Sequence, residues 1–231
     1  MGLDLYAKIE PFLGFEEEIY SLHKVFMRHI MENDLDNILD IGCGQGHFLQ
    51  NLQINKKKYL GIDLSSEQIN ICLDKNLNAK NIDVKDLNEK FDCAVAIFDV
   101  INYLNKKNLK DFFENISNSL NKDAHFLFDI NTLYGFEDIA QGSINLDFDD
   151  KFIAIDAYFE NNFLTTELTL FSKNKDNLFS KEKDIITQEY HKKEFLKKNL
   201  SDSGFEILRT DDIFLHNNKK ADKYLFVCKK K

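Results

Sequence analysis

A chain of 231 residues is long enough for one full α/β core with an elaboration and does not require a second independent domain. Its 43% hydrophobic and 30% charged residues are the balance of an ordinary globular chain, and no apolar run approaches the ~20 residues of a membrane span. A formal charge of -9 argues against a general phosphate-backbone binder, which needs a basic stripe to displace counterions.

After Pro11, the residues Phe15, Ile19, Leu22, Phe26 and Ile30 recur at helical intervals and predict an amphipathic helix in a segment, 1–34, that precedes the core. Residues 38–46, IleLeuAspIleGlyCysGlyGlnGly, then run from an apolar strand into a carboxylate, Asp40, and a loop broken by Gly42, Gly44 and Gly46. Glycines let the backbone turn tightly and leave no side chain between the loop and a ligand, so the next helix can present its free amides there. A dinucleotide site wants G-x-G-x-x-G aimed at a pyrophosphate; here the spacing is G-x-G-x-G. Asp40 would also repel a diphosphate, whereas it suits a ligand carrying an ammonium group. S-adenosylmethionine, with a sulfonium, an amino group and no phosphate, fits this reading; a nicotinamide dinucleotide does not.

Lys58 to Asp63 reads as a second short strand ending in an acid, about 20 residues after the glycine loop, where such folds set a carboxylate against ribose hydroxyls. Ser65 and Gln68 form a capping box that opens a helix with Ile69, Cys72, Leu73 and Leu77 on one face. A weaker strand covers 79–83 and ends at Asp83, and the nearly continuous apolar run Cys93 to Phe98 predicts a central strand buried on both faces. Leu109, Phe112, Phe113, Ile116 and Leu120 mark a core-facing helix, and a strand over 125–130 follows it. Ligands of open α/β sheets bind beyond the carboxyl ends of the strands, so Asp129, Asn131 and Thr132 fall on the functional rim, with Asn131 the preferred acceptor contact. Residues 144–191 change character: strands are predicted over 152–159, 163–171 and 184–191, with a turn at 160–162 and a flexible polar connection at 172–183. Phe195, Leu196 and Leu200 form a last helix stopped by Gly204, and 205–215 with 224–228 make a closing hairpin.

In this order the chain resembles the class I S-adenosylmethionine-dependent methyltransferases over roughly residues 36–130. The motifs are IleLeuAspIleGlyCysGlyGlnGly, GlyIleAspLeuSer, AspValLysAspLeu and PheAspCysAlaValAlaIlePheAspVal. PheAspValIleAsnTyrLeu at 98–104 and PheAspIleAsnThr at 128–132 are similar to the small-molecule members that carry a β-meander after the fifth strand. The resemblance implies an α/β, Rossmann-like fold with a seven-stranded, mostly parallel sheet, a carboxyl-terminal antiparallel hairpin, an N-terminal helical lid and an inserted antiparallel β-meander. Its expected parts are the lid at 1–34, the methyltransferase core at 35–143 and 192–231, and the meander cap at 144–191. It further implies that Asp40, Gly42, Cys43, Gly44 and Gly46 line the methionine end of the cofactor. Asp63 with Leu64 would meet the ribose, Asp83 with Val84 the adenine, and Phe98 the region of the methyl.

Direct displacement at a sulfonium asks mainly for alignment and exclusion of water, with a general base where the acceptor is a hydroxyl. His191 is the base or acceptor-ligand candidate, since histidine titrates near neutrality and related enzymes carry a histidine in this stretch. Tyr6, Tyr20, Tyr103 and Tyr134 are the aromatic candidates for acceptor contact. The Asn- or Asp-Pro-Pro-aromatic segment of many nucleobase and glutamine methyltransferases is replaced here by Phe98-Asp99-Val100-Ile101. The expectation is therefore transfer to N or O of a small metabolite; an RNA or protein methyltransferase and a non-catalytic cofactor-binding module are the alternatives. No metal is expected, because His23, His29, His125 and His216 have no ligand-like spacing. The four cysteines contain no C-x-x-C pair and are expected reduced, in a cytoplasmic monomer or homodimer without a membrane or nucleic-acid partner. That compartment follows from an N-terminus lacking a basic stretch, an apolar run and a small-residue cleavage site.

Overall fold

A computed structural model describes residues 2–216 and 219–231. The short apolar strand β1 (Asn37–Ile41) pairs in parallel on both sides, with β2 (Lys58–Ile62) and β4 (Phe91–Ala96), and so is buried on both faces as its sequence requires. Beyond β2 lies the two-residue β3 (Ala79–Lys80), and beyond β4 lies β5 (Leu120–Asn131). Two antiparallel strands, β10 (Phe205–Ile213) and β11 (Lys223–Lys230), complete a seven-stranded sheet of order β10-β11-β5-β4-β1-β2-β3. β11 slots between β10 and β5, which brings the start of β11 to the rim where β4 and β5 end.

Alternate residues of these strands feed two apolar layers. On one face Ala94, Ala96, Phe126, Phe128 and Phe226 pack against α5 (Leu109–Ser119) and α6 (Lys193–Asp202). Phe128 and Phe226 stack there with ring centroids 4.8 Å apart. On the other face Cys93, Val95, Leu127, Leu225 and Val227 meet α2 (Glu16–Glu32), α3 (His47–Ile54) and α4 (Ser66–Asp74). Only half of the capping box forms: the Ser65 hydroxyl accepts the Gln68 amide at 3.2 Å, but the Ser65 amide donates to Asp63 and Gln68 Oε1 has no partner.

The inserted segment is a separate antiparallel meander of four strands, β6 (Gly142–Asp147), β7 (Lys151–Glu160), β8 (Phe163–Lys173) and β9 (Phe179–Glu189). Asn161 and Asn162, both at positive φ, form the two-residue turn between β7 and β8. The structure corrects three expectations here. Much of 172–183 belongs to β8 and β9, paired from Lys173 with Phe179 onward, and only a short turn separates them. β6 adds an exposed edge strand, and β9 stops at Glu189, ahead of His191.

The segment 1–34 also divides. Its first part forms an unexpected helix, α1 (Leu3–Ile9), whose Leu5 and Ile9 share one apolar cluster with Ile153, Ile155, Leu168, Leu170 and Ile186 of the meander. Its second part, α2, belongs to the main core through Leu22, Phe26 and Ile30. The cap over the sheet is therefore α1 and the meander together. No helix among the described residues is long and apolar enough to cross a membrane.

Candidate active site

Between this cap and the carboxyl ends of the parallel strands lies a cavity of about 680 Å³. It sits where the strand order reverses, between β1 and β4, the crevice that open α/β sheets use for ligands. Asp40, Gly42, Cys43, Gly44, Asp63, Phe98, Tyr6, Tyr103 and Asn131 all line it, so most of the sequence-derived candidates converge.

Its floor is the glycine loop. Gly44, at φ +52°, has open space where a Cβ would stand, so the loop leaves ligand-sized room above its backbone. Asp63 clamps the loop from β2: Oδ2 accepts the Gly44 amide at 3.0 Å and Oδ1 the Ser65 amide at 2.8 Å. Burial raises the Asp63 pKa against the pull of these amides. Asp40 is 2% exposed, and its Oδ2 has no hydrogen-bond partner. Burial, reinforced by Asp63, pushes its carboxyl up to about 8.

The N-terminal helix closes the cavity from above. The Gln45 side chain, in the loop, donates to the Ala7 carbonyl at 2.9 Å and to Glu10 at 3.1 Å, and the Ser65 hydroxyl donates to Asp4 at 2.5 Å. Tyr6 thereby faces Tyr103, which ends a short 3-10 turn after β4, and burial raises the pKa of both phenols. Glu10 joins them, its own pKa raised by burial.

Several candidates lie elsewhere. Gly46, at φ +79°, serves packing: a Cβ there would stand 2.5 Å from Leu77 and 2.9 Å from the Cys72 sulfur, so glycine lets α3 and α4 close together. Leu64 points away from the cavity and is 55% exposed. Asp83 accepts the Lys85 amide at 3.1 Å and caps a 3-10 turn, and Val84 is buried in the main core; neither lines the cavity. Tyr20 is 69% exposed on the outer side of α2, and Tyr134 lies under the Lys220 ammonium, 4.9 Å from its ring centre. His191 is the remaining candidate. It is buried off the cavity with Nε2 2.9 Å from the Leu104 carbonyl, so its ring proton is committed to the backbone, and burial lowers its pKa. Sequence reasoning missed Glu10, Gln45, Asp99 and Lys223, all on the cavity wall. Asp99 had a signal, a carboxylate just past a central strand; Lys223 had none.

A sequence model of the methyltransferase domain matches residues 16–210. The chain belongs to the methyltransferase-domain family. This methyltransferase is 24% identical over 208 residues to a Geobacillus sp. (strain WCH70) protein with a provisional methyltransferase name, covering 84% of each chain. Its fold is similar to that of an S-adenosylmethionine-dependent methyltransferase from Clostridium acetobutylicum ATCC 824, with a TM-score of 0.76, 24% identity, and 96% of this chain and 94% of that one covered. It is similar also to a sugar N-methyltransferase from Streptoalloteichus sp. ATCC 53650, with a TM-score of 0.79, 15% identity, and 98% and 92% covered. For the methyltransferase itself, the strand order and the loop of Gly42, Gly44 and Gly46 give this shared fold a physical content: an amide-lined, acid-floored crevice at the sheet's switch point.

Proposed function

We propose that the protein transfers a methyl group from S-adenosylmethionine to nitrogen or oxygen of a small molecule. The observation that carries this reading is Asp40, an acid only 2% exposed that lines the floor of a cavity built around a glycine loop. A ligand ammonium or sulfonium beside this carboxyl favours its ionised form and gains a charge-assisted partner there, which a phosphate does not. When bound, the cofactor supplies an electrophilic methyl on a positively charged sulfur with a neutral leaving group. The chain's residues do the rest. The Gly44 backbone and Asp40 would hold the methionine end, Asp63 has lone pairs left that would take ribose hydroxyls, and Phe98 would stand on the wall near the methyl. Gln45, by holding α1 down, closes the crevice and keeps water away from the reacting centre.

The acceptor's size follows from the walls. The meander contributes Ile155, Leu164 and Leu168 to one side of the cavity, and these restrict it to a molecule that fits beneath a closed sheet. The Clostridium and Streptoalloteichus structures, one named for its cofactor and the other for sugar N-methylation, support the same direction. The deciding experiment is calorimetric titration with S-adenosylmethionine and with NADH. Binding of the first alone is expected, weakened by roughly 1–3 kcal/mol in Asp63→Ala, the scale of lost buried hydrogen bonds. Binding of NADH instead would overturn the proposal.

A further inference from the structure

The chain turns against its own preference just past β4. Phe98 and Asp99 both have φ of 63°, a left-handed conformation that L side chains resist, and two in succession are held only when the surroundings impose them. Asp129, fully buried on β5, does so by accepting the amides of Phe98 at 2.8 Å and Asp99 at 3.3 Å. The inversion puts the Phe98 ring and the Asp99 side chain on the cavity wall.

Beside them stands Lys223, the first residue of β11. Its ammonium contacts Oδ1 of Asp99, Oδ2 of Asp129 at 3.1 Å and the Asn131 side-chain oxygen at 3.1 Å. An ammonium has three protons and here meets three acceptors, so Lys223 has none left for a substrate. Although burial pulls its pKa down, Asp99 and Asp129 outweigh burial and raise it, so the cation is permanent. Two carboxylates against one ammonium leave a net negative charge, and Oδ2 of Asp99 remains to take a donor from the cavity. Tyr6, Tyr103 and Glu10 line the same cavity, and burial above all, with Asp99 and Glu10 adding to it, raises the pKa of these phenols.

Resting on the methyl-transfer reading above, we infer that the acceptor is an amine, that Asp99 receives its nitrogen, and that Lys223 is the positioning residue that fixes the Asp99 carboxylate. The amine arrives as its ammonium against Asp99 and gives up a proton to solvent before the crevice closes. Its lone pair then forms the N–C bond while the C–S bond breaks, the electron pair stays on sulfur, and the positive charge passes to nitrogen. A carboxylate hydrogen-bonded to that nitrogen attracts it more strongly as the charge develops, which favours the transition state over the ground state. A hydroxyl arrives neutral and gains no such attraction on binding.

The test uses ligand-observed NMR on the full chain with cyclohexylamine and cyclohexanol, equal in ring and different in charge, each with and without S-adenosylhomocysteine. The amine is expected to bind at least ~10-fold tighter than the alcohol, the scale of a charge-assisted hydrogen bond. Asp99→Asn should bring that ratio close to one while S-adenosylhomocysteine affinity stays unchanged, and Lys223→Met should do the same. Equal binding of the two probes, no amine binding, or a ratio that survives Asp99→Asn overturns the inference. Should Lys223→Met fail to fold, the Asp99→Asn ratio decides alone. Failure to bind S-adenosylhomocysteine counts against methyl transfer, whereas the amine ratio reports on Asp99 independently.

Discussion

Asp40 carries a pH signature that few residues of the chain share. Burial, reinforced by Asp63, holds its carboxyl near 8, so at pH 7 the free protein keeps it mostly protonated. A positively charged ligand group placed beside it favours the anion and lowers that pKa. Binding of S-adenosylmethionine is therefore expected to release up to about one proton at pH 7, with the release fading above about pH 8, where the group is already ionised. Calorimetric binding enthalpies in buffers of different ionisation enthalpy measure it directly, and Asp40→Asn should remove the buffer dependence. An unchanged dependence in that variant would separate Asp40 from the ligand. Asp40 and Asp63 were legible because each signal is local, an acid closing an apolar run beside glycines or a capping box. His191 was not: the Leu104 carbonyl that holds its ring lies 87 residues away. Lys223 likewise acquires its contacts from partners on β5 and just past β4, which no nearby residue announces.

Among the elements, α2 is fastened by a part-buried histidine pair. His29 Nε2 lies 2.7 Å from His125 Nδ1 on β5, so at most one proton is shared between them, and Asn33 donates to the His29 carbonyl at 2.9 Å. Burial, then His125 and Arg209, bring His29 down to about 4, with Asp211 pulling the other way; burial, Lys229 and Arg209 lower His125. Both rings are neutral in the folded protein at pH 7. Because their folded pKa values lie below the unfolded value of about 6.5, the contribution is complete above that pH. It is lost as pH falls toward about 4, where the unfolded chain binds protons that the fold excludes. The difference in melting temperature between wild type and His29→Gln should therefore shrink steadily from pH 7 to pH 4; a constant difference would remove the pair as the cause. The same scale explains which elements could be read. α5 and α2 announce themselves by helical spacing, and β4 and the inner half of β5 by apolar runs, because each buries a continuous stripe. β6 and the first half of β9 are exposed on both faces, so no alternation marks them and their polar residues look like a loop. The short helix α1 has its apolar residues matched to the meander instead of to the sheet, a partnership between segments about 150 residues apart.

That partnership governs how the whole molecule should open and close. The seven-stranded sheet has apolar layers on both faces, whereas the cap has a single small cluster whose members come from α1 and β7, β8 and β9. Fewer buried apolar groups mean a lower free energy of local opening, so the cap should exchange its amides well before the central strands do. It is tied to the cofactor side of the crevice at few points, chiefly Gln45 to Ala7 and Glu10, and Ser65 to Asp4. A ligand seated on the glycine loop stabilises the residues that make those ties, and α1 passes the restraint to the meander through Leu5 and Ile9. Hydrogen exchange with S-adenosylhomocysteine bound should accordingly slow in residues 3–12 and 151–189 together, in addition to the loop itself. In Ile9→Ala, where the buried side chain is cut back at a cost of about 2–5 kcal/mol, protection of the loop should persist while that of the meander is lost. Protection confined to the glycine loop in the wild type would mean that the cap does not respond to the cofactor, and that only the acceptor closes it.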